Sequence, residues 1–383
     1  MESLTPPTPS DGRSPHIAVA FARIAALLGL LFLFLVSIKL METGIKGFSD
    51  ANSASDLFAG ISNPFAGLAA GILATVLVQS SSVTTATIVA LVGSGSLSVE
   101  AAVPLIMGAN IGTTITNTLV SFGSIARRND FRRAFAAATV HDFFNLLAVA
   151  VFFPLQLMSG FLSKGAQAIA DMLPVGDAGG KFHSPLKSSV KAVAGWVKDL
   201  LSSMGLEGNW MSTLLLVAGL ALIFLSLTTI TKLMRKVIAD KAEKALNRAL
   251  KRTGLIGIAI GAVITIAVQS SSITTSLLVP LCSSGVLTLE NAFPVMLGAN
   301  IGTTITAFLA SLATDMNGLQ IALVHVLFNL SATVVIYPIR AVRRIPIRMA
   351  RSLAINAVRN KMIVIVYVVA MFILLPVATI ALF

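Results

Sequence analysis

Val78-Gln-Ser-Ser-Ser82 returns as Val268-Gln-Ser-Ser-Ser272, and Gly108-Ala-Asn-Ile-Gly-Thr-Thr114 returns as Gly298-Ala-Asn-Ile-Gly-Thr-Thr304, each 190 residues later. Between and around these blocks, residues 78–121 align without a gap onto residues 268–311, and 26 of the 44 positions are identical. Ordinary amino-acid usage would give about three matches by chance. A looser correspondence follows at a shift of 184, where His141, Asn145 and Pro154 meet His325, Asn329 and Pro338. The chain is therefore two copies of one unit, and the unit has to be understood before anything else.

The solvent for that unit is lipid. Of 383 residues 56% are hydrophobic and 11% charged, with a mean hydropathy of +0.89. A soluble domain carries about a quarter charged residues. Residues 17–38, 211–233 and 362–383 each supply the roughly 20 apolar positions a bilayer-spanning helix needs. The net charge of +12 sits in short connectors at residues 127–133, 232–252 and 340–361. That is the pattern that orients membrane proteins, with basic loops inside. No basic face is offered on a soluble module, so nucleic-acid binding is excluded. Cys282 is the one cysteine, which rules out an intrachain disulfide.

Following the charges along the chain predicts an all-α polytopic protein with two inverted-topology repeats. The expected order is a disordered cytoplasmic tail (1–15), a first transmembrane repeat (16–155) and a central periplasmic or extracellular loop (156–210). A second, inverted repeat (211–338), a basic amphipathic cytoplasmic segment (339–361) and a final transmembrane helix (362–383) complete it. The N-terminus is expected inside and the C-terminus outside. Within each unit the apolar runs are too short to span. Residues 64–78 stop at the triple serine and residues 83–92 run back, which predicts a re-entrant hairpin with Gln79–Ser82 at its tip. The Gly108–Gly112 stretch is expected to interrupt the next helix, with the same break in the second copy. Freed backbone at membrane depth is tolerated only where protein or a cavity covers it, and such breaks in both halves point to a binding site.

The tips combine amides and hydroxyls at helix starts, which is an uncharged cradle for an anion. An isolated serine in a membrane helix is ordinarily a packing residue; a duplicated Gln plus three serines is better explained by binding. Residues 64–125 and 253–338 contain no lysine or arginine. An anion held there has only helix dipoles of about half a charge each for compensation, and burying uncompensated charge is prohibitive. Mobile cations must accompany it. Hydroxyls, carboxamide oxygens and freed carbonyls suit a hard monovalent ion, which makes Asn110, Asn117, Asn300 and Asn329 candidate ligands.

These blocks, together with Phe131-Arg-Arg-Ala-Phe135 and Ala138-Thr-Val-His-Asp-Phe-Phe-Asn145, resemble the type II sodium-dependent phosphate cotransporter family from residue 17 to the end, as a bacterial member of it. The resemblance implies sodium-coupled import of inorganic phosphate in a bacterial inner membrane, with no organic cofactor. It implies phosphate at Gln79, Ser80, Ser81, Ser82, Thr113, Gln269, Ser270, Ser271 and Ser272, and sodium around Thr113, Asp142, Asn145, Gln269 and Thr303. It further implies electrogenic transport, since members with Asp at the position of Asp142 are electrogenic and those with Gly are not. Two features depart from the family. The cystine that animal members carry in the central loop is absent, and Ser124 and Arg127 stand where those members place a Gln and an Asp for one sodium site.

His141 and His325 each precede an asparagine by four residues, a spacing that favours a packing face over a proton relay. Glu100 and Glu290 follow Ser98 and Thr288 by two and read as first-turn dipole partners. Trp210 reads as an interfacial anchor. A serine hydrolase using Ser81 or Ser271 is the rival class, and it lacks a nucleophile elbow. A carrier of another oxyanion or a carboxylate is the alternative within the same architecture.

Overall fold

The computed structural model describes residues 15–48, 63–173, 185–249 and 254–383. The expected tail, the middle of the central connection and the end of the basic stretch 232–252 lie outside these. Among the described residues every regular element is helical. Six helices among the described residues are long and apolar enough to cross a membrane.

The first unit opens with α1 (Pro15–Lys46), followed by a pair of short apolar helices, α2 (Pro64–Val78) and α3 (Ser81–Gly93). Then come α4 (Val99–Gly112), α5 (Ile115–Ser121), the long α6 (Arg128–Ser159) and the amphipathic α7 (Phe161–Met172). After α8 (Pro185–Ser203) the second unit repeats the order as α9 (Gly208–Ala249), α10 (Gly254–Val268) and α11 (Ser271–Ser283). It continues through α12 (Leu289–Ser311), α13 (Met316–Ile336) and the basic α14 (Arg340–Arg359). A last helix runs through α15 (Met362–Val369), a π turn at Ala370–Leu374 and α16 (Leu375–Leu382). At 15 and 13 residues, α2 and α3 are about 22 and 20 Å long, short of the roughly 30 Å hydrocarbon core.

Glycine decides how the helices of a unit pack. A Cβ on Gly108 would lie 2.0 Å from the Leu68 carbonyl oxygen, and one on Gly298 would lie 1.9 Å from that of Ile258. Gly71 and Gly261 meet the backbone of Leu105 and Val295 in the same way. In both units the hairpin's first arm therefore runs parallel to, and backbone against, the following helix. This corrects the expected interruption. Gly108–Gly112 is helical, the first unit breaks later, at Thr113–Thr114, and α12 is continuous from Leu289 to Ser311. The reason is physical: in a membrane helix the Gly-x-x-x-Gly spacing lets two backbones close up, and it need not break either one.

The second hairpin arms and the amphipathic helices cross between the two units. The hairpin arm α3 lies on α12 and α13, while α11 lies on α5 and α6. α7 packs on α13, and its counterpart α14 packs on α6. α1 and α9 run antiparallel, with Gly44 against Ser212 and Leu216 and Gly219 against Met41. The central connection, expected as a loop, contains two helices. α6 overruns to Ser159 and turns at Gly160 (φ +66°), where the Gln156 carboxamide oxygen accepts the free amides of Leu162 (2.8 Å) and Ser163 (3.3 Å). α8 rests on α1 and sends the Lys187 ammonium to the Thr314 carbonyl at 2.7 Å. Their apolar stripes are too interrupted by polar residues to register as spans, which is why composition reads them as loop. The basic segment forms the amphipathic helix α14. Ile347, Ala350, Ala354 and Ala357 form a buried stripe on α14, so its apolar face is spent on α6.

Candidate functional site

Each hairpin turns on a glutamine in the left-handed region, Gln79 at φ +56° and Gln269 at φ +57°. No other non-glycine residue among those described has a positive φ. Glycine normally fills this helix-terminating position, and a side chain there costs about 1–2 kcal/mol. The carboxamides show what offsets it. Gln79 donates to the Val76 carbonyl (2.6 Å) and accepts from the Thr116 hydroxyl (3.2 Å). Gln269 donates to Ile266 (2.7 Å) and accepts from Thr306 (3.0 Å). One device is built twice.

The serines then start the second arms. Ser80 and Ser270 are extended N-caps, and the Ser80 hydroxyl accepts the Val83 amide at 3.3 Å. Ser81, Ser82, Ser271 and Ser272 occupy first turns, whose amides have no partner inside the helix and carry the positive end of its dipole. The two tips meet. The Ser82 hydroxyl donates to the Gln269 carbonyl (3.3 Å), and the Thr306 hydroxyl reaches Ser82 (3.5 Å). Asn117 of α5 accepts the hydroxyls of Thr275 (2.8 Å) and Ser276 (3.3 Å) on α11, fixing the second hairpin to the first unit. The described ion pairs, Lys39–Glu42–Lys46, Arg127–Asp130 and Arg351–Glu290, all lie elsewhere in the sequence. What remains at the tips is two helix starts and their hydroxyls, chemistry suited to a small oxyanion.

Behind the tips the candidate cation ligands separate into groups. Asn145 donates to the Asn110 carbonyl (2.7 Å) and accepts from Asn300 (2.9 Å), whose carboxamide oxygen faces His141 Nε2 (3.1 Å). His141 is thereby a linking residue between α6 and α12. The Thr113 hydroxyl donates to the Ala109 carbonyl at 2.9 Å, which leaves its oxygen lone pairs free to accept. Asn329 donates to the His325 carbonyl (3.2 Å). Asp142 is fully buried, and its Oδ2 accepts the Tyr367 hydroxyl at 2.7 Å. Asp142 Oδ1, Thr303 Oγ1 and Asn329 Oδ1 are buried oxygens with no protein partner among the described residues. Such atoms are rare and ask for a ligand or water. Of the positions where the family's other sodium residues would stand, Ser124 bonds to Ser283 at the end of α11 (2.8 Å) and Arg127 is exposed.

Three residues of the site escaped the sequence reading. Thr116 and Thr306 are identical in the two copies and lie two residues past the quoted block, so extending the block would have found them. Tyr367 has no local signal.

The model of the family described as Na+/Pi-cotransporter matches residues 33–170 and 222–350. The chain belongs to that family. Sodium-dependent phosphate transport protein 2A of Rattus norvegicus is 33% identical over 432 residues, covering 94% of this chain and 68% of the relative. The protein of the same name from Oryctolagus cuniculus is 34% identical over 432 residues, with 94% and 67% covered. Sodium-dependent phosphate transport protein 2B of Homo sapiens is 32% identical over 444 residues, with 92% and 64% covered. No solved structure gives a significant match. Both tips, both threonines and Asp142 fall inside the segments that match this Na+/Pi-cotransporter family. Tyr367, the partner of Asp142, falls beyond them.

Proposed function

We propose that this protein imports inorganic phosphate together with sodium by alternating access, with phosphate held between the Gln-Ser-Ser-Ser tips. The observation that carries the reading is the meeting of two helix starts, supplied by duplicated units, in segments with no lysine or arginine. Membership of the Na+/Pi-cotransporter family supports phosphate over other oxyanions, and the names of the relatives support sodium as the coupling ion. Asp142, Thr303 and Asn329 supply the unpartnered oxygens for sodium, with Asn145, Asn110, Asn117 and Asn300 behind them. The charge of Asp142 makes the cycle electrogenic. Phosphate uptake into proteoliposomes should require sodium on the uptake side. Ser81→Ala and Ser271→Ala each remove one hydroxyl with little change of volume. Each should raise the half-saturating phosphate concentration about ten- to a hundredfold, the worth of one hydrogen bond to a charged partner. Sodium-independent uptake, or unchanged half-saturation in both variants, would rule the tips out.

The same reading makes α2–α3 and α10–α11 re-entrant hairpins entering from opposite faces, with the 127–133 and 340–361 basic segments in the cytoplasm. The exchanged packing of the units supports it, as does the antiparallel pairing of α1 with α9. In a background with the buried Cys282 changed to Ala, Met204→Cys should react with an impermeant thiol reagent outside intact cells. Ala126→Cys should react only after permeabilisation. The reverse result would overturn the orientation.

A further inference from the structure

The arginines of α14 are not spread evenly over a solvated face. Arg344, Arg348 and Arg351 follow one another at four- and three-residue intervals. With Arg343 they line a cavity of about 580 Å³ closed on its other sides by α10, α12 and Tyr337. One carboxylate enters it, Glu290, and that is held by Arg351 at 2.5 Å. Arg343 lies over the Tyr337 ring, 5.1 Å from its centre. Arg344 and Arg348 are exposed, and no acidic group pairs with either among the described residues. The polar lining is completed by Asn291. An adjoining cavity of about 630 Å³ shares Glu290 and Arg351 and adds Arg132 and Arg133 from α6, which extends the positive field toward the first unit.

Within three residues of Gly254 or Tyr337 along the chain, Leu255, Val334 and Ile339 are exposed apolar side chains, at 71%, 61% and 52%. A cluster of guanidinium forks beside exposed apolar surface has the two halves of one ligand written into it. The forks suit the non-bridging oxygens of a phosphate ester, and the apolar rim suits acyl chains. We infer that this cavity is a binding site for the headgroup of an anionic phospholipid. Its position at the cytoplasmic leaflet rests on the orientation proposed above, and basic pockets between membrane helices on that side are where such headgroups bind. Free inorganic phosphate would use the same arginines and leave the apolar rim bare. Because α10 and the first turn of α12 form the walls, the bound headgroup would brace α14 against the helices that carry the second tip and Thr306.

Native mass spectrometry of the full-length protein in detergent, titrated with phosphatidylglycerol or phosphatidylcholine, reads this without transport. The wild type should retain one phosphatidylglycerol in preference to phosphatidylcholine. Arg344→Gln combined with Arg348→Gln should weaken that preference about ten- to thirtyfold, at roughly one surface-arginine contribution each. Arg340→Gln combined with Arg359→Gln removes the same charge from the same helix outside the cavity and should leave the preference unchanged. An unaltered charge-state distribution shows that each variant is folded. Equal losses in the two double variants would mean that only net charge is sensed, and would overturn the site. Displacement of phosphatidylglycerol by millimolar inorganic phosphate would assign the arginines to the free ion and overturn the lipid reading. Since lipid retention is measured with no sodium gradient, a failure of the transport proposal leaves this result standing, and the converse holds.

Discussion

Gly298→Ala should cost the protein its folded state or leave it inactive, a larger effect than removing any hydroxyl at the tips. The added Cβ would lie 1.9 Å from the Ile258 oxygen, 2.7 Å from its carbonyl carbon and 2.8 Å from the Ala262 nitrogen. All three are backbone atoms of α10, so no rotamer change can make room. α10 and α12 would have to separate by an ångström or more to restore ordinary contact distances. Overpacking of side chains alone costs about 1–3 kcal/mol, and backbone against backbone lies at or above the top of that range. The displacement also reaches the site, since α10 leads directly into Gln269 and α12 carries Thr306. Gly108→Ala should behave alike, with its Cβ 2.0 Å from the Leu68 oxygen. Gly29 supplies the opposite sign: nothing lies within 4 Å of its Cβ, and alanine is preferred in a helix by about 1 kcal/mol. The melting temperature of the solubilised protein, read by size-exclusion chromatography after heating, should drop or be unmeasurable for Gly298→Ala and hold or rise for Gly29→Ala. Matching melting temperatures and uptake rates for the two would show that the close helix pairs are not what seats the hairpins.

The same glycines show where sequence reasoning held and where it failed. Duplication, short apolar runs and the triple serines locate both pairs of short helices and the turns between them, because each is a local pattern written twice. From sequence the Gly108–Gly112 stretch reads as a break because glycine weakens a helix in water, whereas in lipid its missing side chain is an opportunity for packing. α7 and α8 look like loop in sequence because an amphipathic helix does not show in mean hydropathy; the packing of one face against α13 and α1 is a tertiary fact. Glu42 carries no signal in the sequence pattern. It is buried in α1 and bonded to Lys39 (2.8 Å) and Lys46 (2.7 Å), a charge triplet that composition counts as three unrelated polar residues. Tyr367 shows the limit most plainly. Its hydroxyl meets a carboxylate 225 residues away, and neither residue's neighbours announce the other.

That contact sharpens the second large prediction. Asp142 is fully buried on α6, with no lysine or arginine paired to it among the described residues. Tyr367 satisfies Oδ2, and Oδ1 has no protein partner. A buried carboxylate with only the neutral hydroxyls of Tyr367 and Thr114 beside it is expensive to keep charged, and inside a membrane such a group marks an ion pathway. The proposed partner at Oδ1 is a sodium ion beyond those that neutralise phosphate, so each cycle should carry net positive charge inward. One elementary charge crossing 100 mV is worth about 2.3 kcal/mol, enough to change a charge-limited rate severalfold or more. Phosphate uptake into proteoliposomes, with a potassium potential clamped by valinomycin, should rise as the interior is made negative. Asp142→Gly removes the binding oxygen and its charge together, and should retain sodium-dependent uptake while losing that response. Tyr367→Phe keeps the carboxylate and removes only its donor, so it should remain voltage-sensitive while its half-saturating sodium concentration shifts. Wild-type uptake indifferent to the clamped potential would refute net charge movement. A glycine variant still accelerated by a negative interior would place the moving charge at another residue.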